Sequence, residues 1–546
     1  FKLRIIIMKK NILFFCSILL FSFSATAQDV WDGSTSTDWS VDSNWADGSS
    51  PESFFGAGVT IPNVANDPVI TSLDVVGIGD ITIATGATLT ISSDATLNHP
   101  SGVLDNDGIV ILNSGASYVQ SASVTGDGTF RYIRNLDTSN WYVVSSPVAG
   151  QDIDAFVSAS SLQTSGSNSA LGTYLTPSNT YSYYVTGSSG TGNFIQGKGH
   201  TISLAGSSGD ITFTGSNPTI TDVNYTLTYS GDRYNLLGNI WPSYLKTASF
   251  LNDNTLKLES ETLWLWNATN SSYTTYVGNL GPKIAPCQGF FVEGKSGGSG
   301  AVTFKESYQT TSGSSFAGPE IIVPEVHLKI KNSTTYRDTQ LYFVEGTTTG
   351  FDNGWDGKIF GGQNNDFAIY TRFINDTNPE LDLGVQSLPD ISYEVPVGIN
   401  AVPGSEITIS ATSLHLPIDI NVYLEDRDND TLTLLDDTSE YTISLPDGSD
   451  GIGRFYLHTV SNELEIGENN LENILIYKSS ENNLRISGLH DGIANIKIYN
   501  MLGKQILETS FEANDTNNIS LQSLQLGVYI VHLVTESGIL IKKVIL

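Results

Sequence analysis

Residues 482–546 read NNLRISGLHDGIANIKIYNMLGKQILETSFEANDTNNISLQSLQLGVYIVHLVTESGILIKKVIL, and the spacing of their apolar residues decides their fold. Leu484 and Ile486, and then Ile496 and Ile498, are separated by single polar residues. That period of two puts both members of each pair on one face of a strand. Asn500 and Gly503 flank a tight turn before a strand expected at 505–508. Leu521, Leu524 and Leu526 then lead through Gly527 and Tyr529 to a β-branched run and a last strand at 539–546. Short strands with turn residues between them predict a small β-sandwich.

The motifs run in a fixed order. I-x-I-Y-N-x-x-G-K at 496–504 is followed by L-x-x-G-V-Y-I-V at 524–531 and K-K-V-I at 542–545. This succession resembles the type A C-terminal sorting domain of the type IX secretion system, the outer-membrane export route of the Bacteroidetes. The resemblance implies an address read by the secretion machinery, after which the tail is cut off or left at the cell surface. Asn500, Gly503, Gly527, Tyr529, Lys542 and Lys543 are the positions that carry over from that motif. Their ordinary uses would be turns for Asn500 and the glycines, core for Tyr529, and a charged last strand for the lysines.

The other end of the chain agrees. Met8 is the first methionine, and the expected signal peptide, 8–27, runs from it as MKKNILFFCSILLFSFSATA. Lys9 and Lys10 form a positive start, 12–23 an apolar stretch, and Ala25-Thr26-Ala27 a small-residue cleavage site. The apolar stretch is too short for a lasting span, and no other run of about eighteen apolar residues follows. A mature chain without a transmembrane segment is therefore expected, exported through the periplasm to the outer cell surface or beyond.

Cleavage after Ala27 would remove four of the 26 cationic residues and none of the 57 acidic ones, leaving 22 against 57, a net charge of −35. Such a balance disfavours nucleic acid and anionic membranes as partners. Cys16 leaves with the leader, so Cys287 stands alone and no internal disulfide is expected.

The pattern between the two signals is all-β and multi-domain. Residues 28–130 open on Trp31, Trp39 and Trp45, then repeat G-A-T-L at 86, D-A-T-L at 94 and G-A-S-Y at 115. Short strands with small-residue corners suit a β-solenoid-like segment of three or four coils. The tryptophans either cap its open end or stack on sugars, and the cap is the reading we favour. Residues 131–318, with YNLLGNIWPSYL and IAPCQGFFVEG, resemble a β-rich module of exported Bacteroidetes proteins. Residues 319–461 alternate cleanly and predict a jelly-roll or immunoglobulin-like sandwich, followed by a linker at 462–476 and the sorting domain at 477–546.

Few motifs offer chemistry. GNFIQGKG at 192–199 lacks the closing Ser or Thr of a phosphate loop and runs into a strand pattern where a helix is needed. GKSGG at 294–298 fits G-x-S-x-G, but a strand, loop, strand pattern surrounds it, read as a hairpin. Cys287 sits in apolar surroundings, the seven histidines are scattered singly, and Glu261 beside Trp264 and Trp266 is the nearest approach to an acid-aromatic cluster. The best ligand set is Asp426, Asp428 and Asp430, where alternate carboxylates can converge on calcium, the one cofactor suggested. The glycine and closing glutamate of an EF-hand loop are missing, and an acidic hairpin turn explains the run as well.

No catalytic constellation stands out. The expected function is a structural or adhesive surface protein exported by the type IX system, with secretion machinery and surface glycans or proteins as partners. The alternative is a carbohydrate-binding or polysaccharide-degrading extracellular protein.

Overall fold

The computed structural model describes residues 28–51, 58–71, 75–76, 78–121, 123–216, 221–311, 323–361, 365–374, 381–391, 393–417, 420–436, 438–461, 474–480, 483–489, 492–500, 503–514, 516–521, 524, 527–535 and 538–545. The expected signal peptide and most of the expected linker lie outside the described residues.

The small-residue repeats build a solenoid with three parallel sheets. One sheet pairs Val59 with Ile81, Ile81 with Leu104 and Leu104 with Val124. A second pairs Ile70 with Ile91, Ile91 with Leu112 and Leu112 with Tyr132. The third pairs Val75 with Leu97 and Leu97 with Tyr118. Each apolar side chain thus lies over its counterpart one coil away, so the interior is a set of aligned stacks. The repeats fall at the corners, where Gly86, Asp94 and Gly115 have φ of +86°, +62° and +85°. A Cβ on Gly115 would meet Asp94 Oδ1 at 2.5 Å, so a side chain there would push adjacent coils apart.

The tryptophans seal the first coil. Trp31, Trp39 and Trp45 are 0%, 1% and 2% exposed, with ring centroids 4.8–6.4 Å apart. Trp45 Nε1 donates to the Trp39 carbonyl at 2.9 Å and Trp31 Nε1 to that of Asn66 at 2.7 Å. Buried Asn44 ties the connecting loop by accepting from the Thr35 and Ser36 amides at 3.0 and 2.8 Å.

At the other end one of the three sheets runs on into the second module. Strand Thr129–Leu136 pairs in parallel with Ile109–Leu112 and antiparallel with Gly209–Gly215 of the second module. One apolar core consequently runs from Trp31 to Cys287, and the expected boundary at 130/131 marks a change of strand direction within continuous packing. The second module adds two short helices, Ile153–Ala159 and Thr247–Asp253, which no sustained helical period announces. Its central sheet orders Tyr234–Gly238, Gly289–Glu293, Thr262–Asn267 and Ser272–Val277. Leu263 and Trp264 are both fully buried because the two faces of that sheet enter different cores.

The third module departs from a sandwich of two separate sheets. Its eleven described strands, from Glu325–Lys331 to Phe455–Ser461, hydrogen-bond into one sheet that curls until its halves face each other, nearly a barrel. Ala368–Thr371 and Leu383–Leu388 join the halves, and Val326, Leu328 and Ile330 share one core with Val422, Leu424 and Leu457.

The tail is the small sandwich that its alternation predicts. Leu475–Ser480, Asn483–Ser487 and Thr516–Ser520 form one sheet. Gln505–Ala513, Gly492–Asn500, Val528–Thr535 and Gly538–Ile545 form the other. Leu484, Ile486, Ile496 and Ile498 are fully buried between them with Val531 and Leu533.

Removing one ring from the cap should leave a void at the solenoid end. Trp45→Ala is expected to cost about 3–5 kcal/mol in the urea transition followed by tryptophan fluorescence. Leu256→Ala, at a position 80% exposed, should leave that transition in place.

Candidate functional site

The sorting motif is built into the tail's hairpins. The Asn500 side chain accepts from the Lys504 amide at 3.0 Å, while its backbone carbonyl accepts from Gly503 N–H at 2.9 Å. Gly503 takes φ +77°, which only glycine adopts without strain. Tyr529 lies opposite Asn500 in register and is 9% exposed, and Gly527 immediately precedes its strand. Lys542 donates to the Ile474 carbonyl at 3.1 Å, whereas Lys543 next to it is exposed. Most of the motif therefore shapes the fold, and Lys543 presents charge to solvent.

The three aspartates do not converge. Asp426 ends strand Ile420–Asp426, and its side chain is 1% exposed. Arg454 grips it in a fork, Nε to Oδ1 at 2.8 Å and Nη2 to Oδ2 at 2.8 Å. Tyr441 OH and Asn429 Nδ2 donate to Oδ2 at 2.7 and 3.0 Å, and the Asp428 amide to Oδ1 at 3.1 Å. Burial works against this carboxylate, but the Arg454 and Tyr441 bonds hold its pKa below the usual range. Asp428 is 67% exposed, and Asp430 occupies the turn at φ +49°. The carboxylate read as a calcium ligand is thus saturated by protein donors. Among the described residues, the three groups with potential ligand atoms within 4.8 Å of one another are instead Glu394, Glu425 and His458. Arg427 already bridges the two glutamates, with Nη2 2.6 Å from Glu394 and 3.2 Å from Glu425.

The other sequence candidates are absorbed by packing. Trp31, Trp39 and Trp45 keep no exposed ring face on which a sugar could stack. Residues 192–199 run into strand His200–Ile202, so no helix N-terminus meets a phosphate there. Residues 294–298 connect two strands that belong to different sheets, a crossing loop where a hairpin was expected. Cys287 is 1% exposed, and burial pushes its thiol pKa well up, away from nucleophilic use.

A cavity of about 760 Å³ between the second and third modules was not legible in the sequence. Tyr234, Trp266 and Tyr273 line it from the second module and Phe360 from the third. Phe360 packs 4.6 Å from Tyr234, 4.2 Å from Tyr273 and 4.9 Å from Phe291, ring centre to ring centre. Beside these rings Glu293, 4% exposed, stands between two cations. Arg233 Nη2 lies 2.6 Å from Oε1, and Lys358 Nζ, delivered by the third module, pairs with Oε2. Burial opposes the Lys358 charge, but Tyr234 and Glu293 hold its pKa above the ordinary lysine value. At the far end Arg337 lies 5.8 Å from the Phe367 ring, and Arg372 fixes Asp382 by bonds of 2.8 and 2.6 Å. Of the cluster suspected from sequence, Trp266 reaches the cavity, Trp264 is core, and Glu261 accepts from Asn353 Nδ2 at 2.8 Å.

The loop that delivers Lys358 and Phe360 hangs on Asp356, which is fully buried. Its carboxylate accepts from the Ser387 amide at 2.7 Å and the Asp352 amide at 2.6 Å. Burial, with the charge of Asp352 adding to it, pushes the Asp356 pKa up to about 7 against those two bonds.

Two outcomes follow from these geometries. Asp426→Ala should cost about 3–5 kcal/mol in urea unfolding by stranding Arg454, while a calcium chelator leaves the melting temperature unchanged. For Asp356, the folded pKa lies above the unfolded value of 3.8, so the folded chain takes up the proton first. Its contribution to stability should rise as pH falls from about 7 towards 4, and Asp356→Asn should flatten that part of the profile.

Among the described residues, no helix is long and apolar enough to cross a membrane. Residues 30–280 match a family described as a domain of unknown function (DUF8693), which spans the solenoid and most of the second module together. No curated protein matches the chain. Residues 475–546 match the secretion system C-terminal sorting domain, over the sandwich in which Asn500, Gly503, Tyr529 and Lys542 hold their structural places. The chain carries a type IX secretion sorting domain at its C-terminal end, and it is a cargo of that system bound for the cell surface or the extracellular space.

Proposed function

We propose that this chain is a non-enzymatic structural or adhesive protein of the cell surface. It would enter the periplasm on the signal peptide at 8–27 and cross the outer membrane through its sorting tail. The reading is supported mainly by how the modules are joined. One core passes from the solenoid into the second module, and the Glu293 triad locks the second to the third. Such a body resists local opening and suits a load-bearing role more than a moving catalytic one. Its strong negative charge keeps it soluble outside the cell and away from anionic surfaces.

Carbohydrate binding is the second reading. The cavity favours it, with aromatic faces and convergent polar groups of the kind that small-molecule sites use.

Both parts of the proposal are open to one genetic experiment. Cells whose only copy lacks residues 475–546 should hold the product in the periplasm and lose attachment to surfaces. Secretion of the truncated chain into the medium would overturn the export route. Undiminished attachment of cells lacking the protein altogether would overturn the adhesive role.

A further inference from the structure

We propose that the cavity between the second and third modules binds a short, neutral oligosaccharide. This rests on the adhesive reading and names the ligand class for it. The volume, about 760 Å³, lies within the ~300–1,000 Å³ range of small-molecule sites. The chemistry of the lining then narrows the ligand by elimination.

An anionic ligand would need a cation to spare. Arg233 and Lys358 are both committed to Glu293, Arg337 donates to the Asn270 and Tyr336 carbonyls and the Thr335 hydroxyl, and the chain as a whole carries a net charge of −31. Inside the cavity a cationic ligand would meet Glu293 held by its two cations, Asp382 held by Arg372, and Asp338 beside His327, Lys329 and Arg337. The lining carboxylate Asp232 stands exposed at the solvent side, where water and salt screen its pull. A hydrocarbon would strip water from these charged groups and return nothing for it. A neutral polyhydroxylated ring avoids all three penalties. Its hydroxyls exchange hydrogen bonds with compensated ion pairs, which offer donors and acceptors side by side without demanding a counter-charge. Its C–H face lies on an aromatic ring, and Trp266 and Phe360 line the cavity while only half-buried. Asp232, exposed on the lining, adds an acceptor at the solvent side.

The pairing also explains why the cavity keeps its shape. The triad and the Phe360 contacts fix both walls, so a ligand would meet a formed site and lose less entropy in ordering it.

The test is calorimetric titration of the full chain with neutral gluco-, manno-, galacto- and xylo-oligosaccharides. An oligogalacturonate and choline serve as anionic and cationic controls. Saturable binding of at least one neutral sugar is expected. It should weaken about tenfold in Trp266→Leu and in Asp232→Ala. Asp232 is exposed, so its variant keeps the test valid if Trp266→Leu fails to fold. Binding of no neutral sugar, binding confined to the charged controls, or binding unchanged in the folded variants would each overturn the proposal. Loss of attachment in the genetic experiment without sugar binding here would sink this inference alone. Sugar binding by a protein whose loss leaves attachment intact would sink the adhesive role alone.

Discussion

A buried carboxylate governs how the larger modules meet. Glu293 is 4% exposed, and removing such a charge from water costs several kcal/mol unless partners replace the lost solvent. Arg233 from the same module satisfies one oxygen, and Lys358 from the next module satisfies the other. Neither module contains the whole arrangement. Phe360, two residues beyond Lys358, fills the aromatic pocket formed by Tyr234, Tyr273 and Phe291. Charge and shape therefore require the same docking, and the cavity is what remains between the walls that they fix.

The solenoid meets a different constraint. Stacked coils bury one another's apolar side chains, but the last coil at each end has no neighbour. At the start, three fully packed tryptophans and a buried asparagine supply the missing cover. At the finish, an antiparallel partner, Gly209–Gly215, continues one of the three sheets. The two ends use opposite solutions, a knot of side chains and a change of strand direction.

The sorting tail shows how an address is written in fold. Asn500 and Gly503 close a hairpin, Tyr529 packs beneath it, and Lys542 reaches a backbone carbonyl across the sandwich. Motif residues that build the domain and motif residues that a receptor touches are hard to separate by position. Exposure sets the Lys543 side chain apart from buried Tyr529 and partly buried Asn500 and Lys542.

What the sequence alone determined was local and periodic. Alternating Leu484, Ile486, Ile496 and Ile498 specified the tail sandwich, and the glycine corners at 86 and 115 specified stacked coils. The order of the tail motifs specified export. The sandwich and the coils depend on neighbours a few residues apart, where backbone geometry leaves little choice, whereas the export reading rests on the resemblance of the ordered motifs to a known family. The tertiary structure alone decided the rest. Asp426 reads as one of three carboxylates around a cation, but Arg454, 28 residues away, arrives just before the paired strand Phe455–Ser461 and takes both of its oxygens. The third module reads as two sheets, but strands Ala368–Thr371 and Leu383–Leu388 join them into one. The cavity draws on side chains from Asn179 to Asp382, none of which signals the others along the chain. Ion pairs and cavities depend on which distant segments meet, and burial, not spacing, then sets their energies.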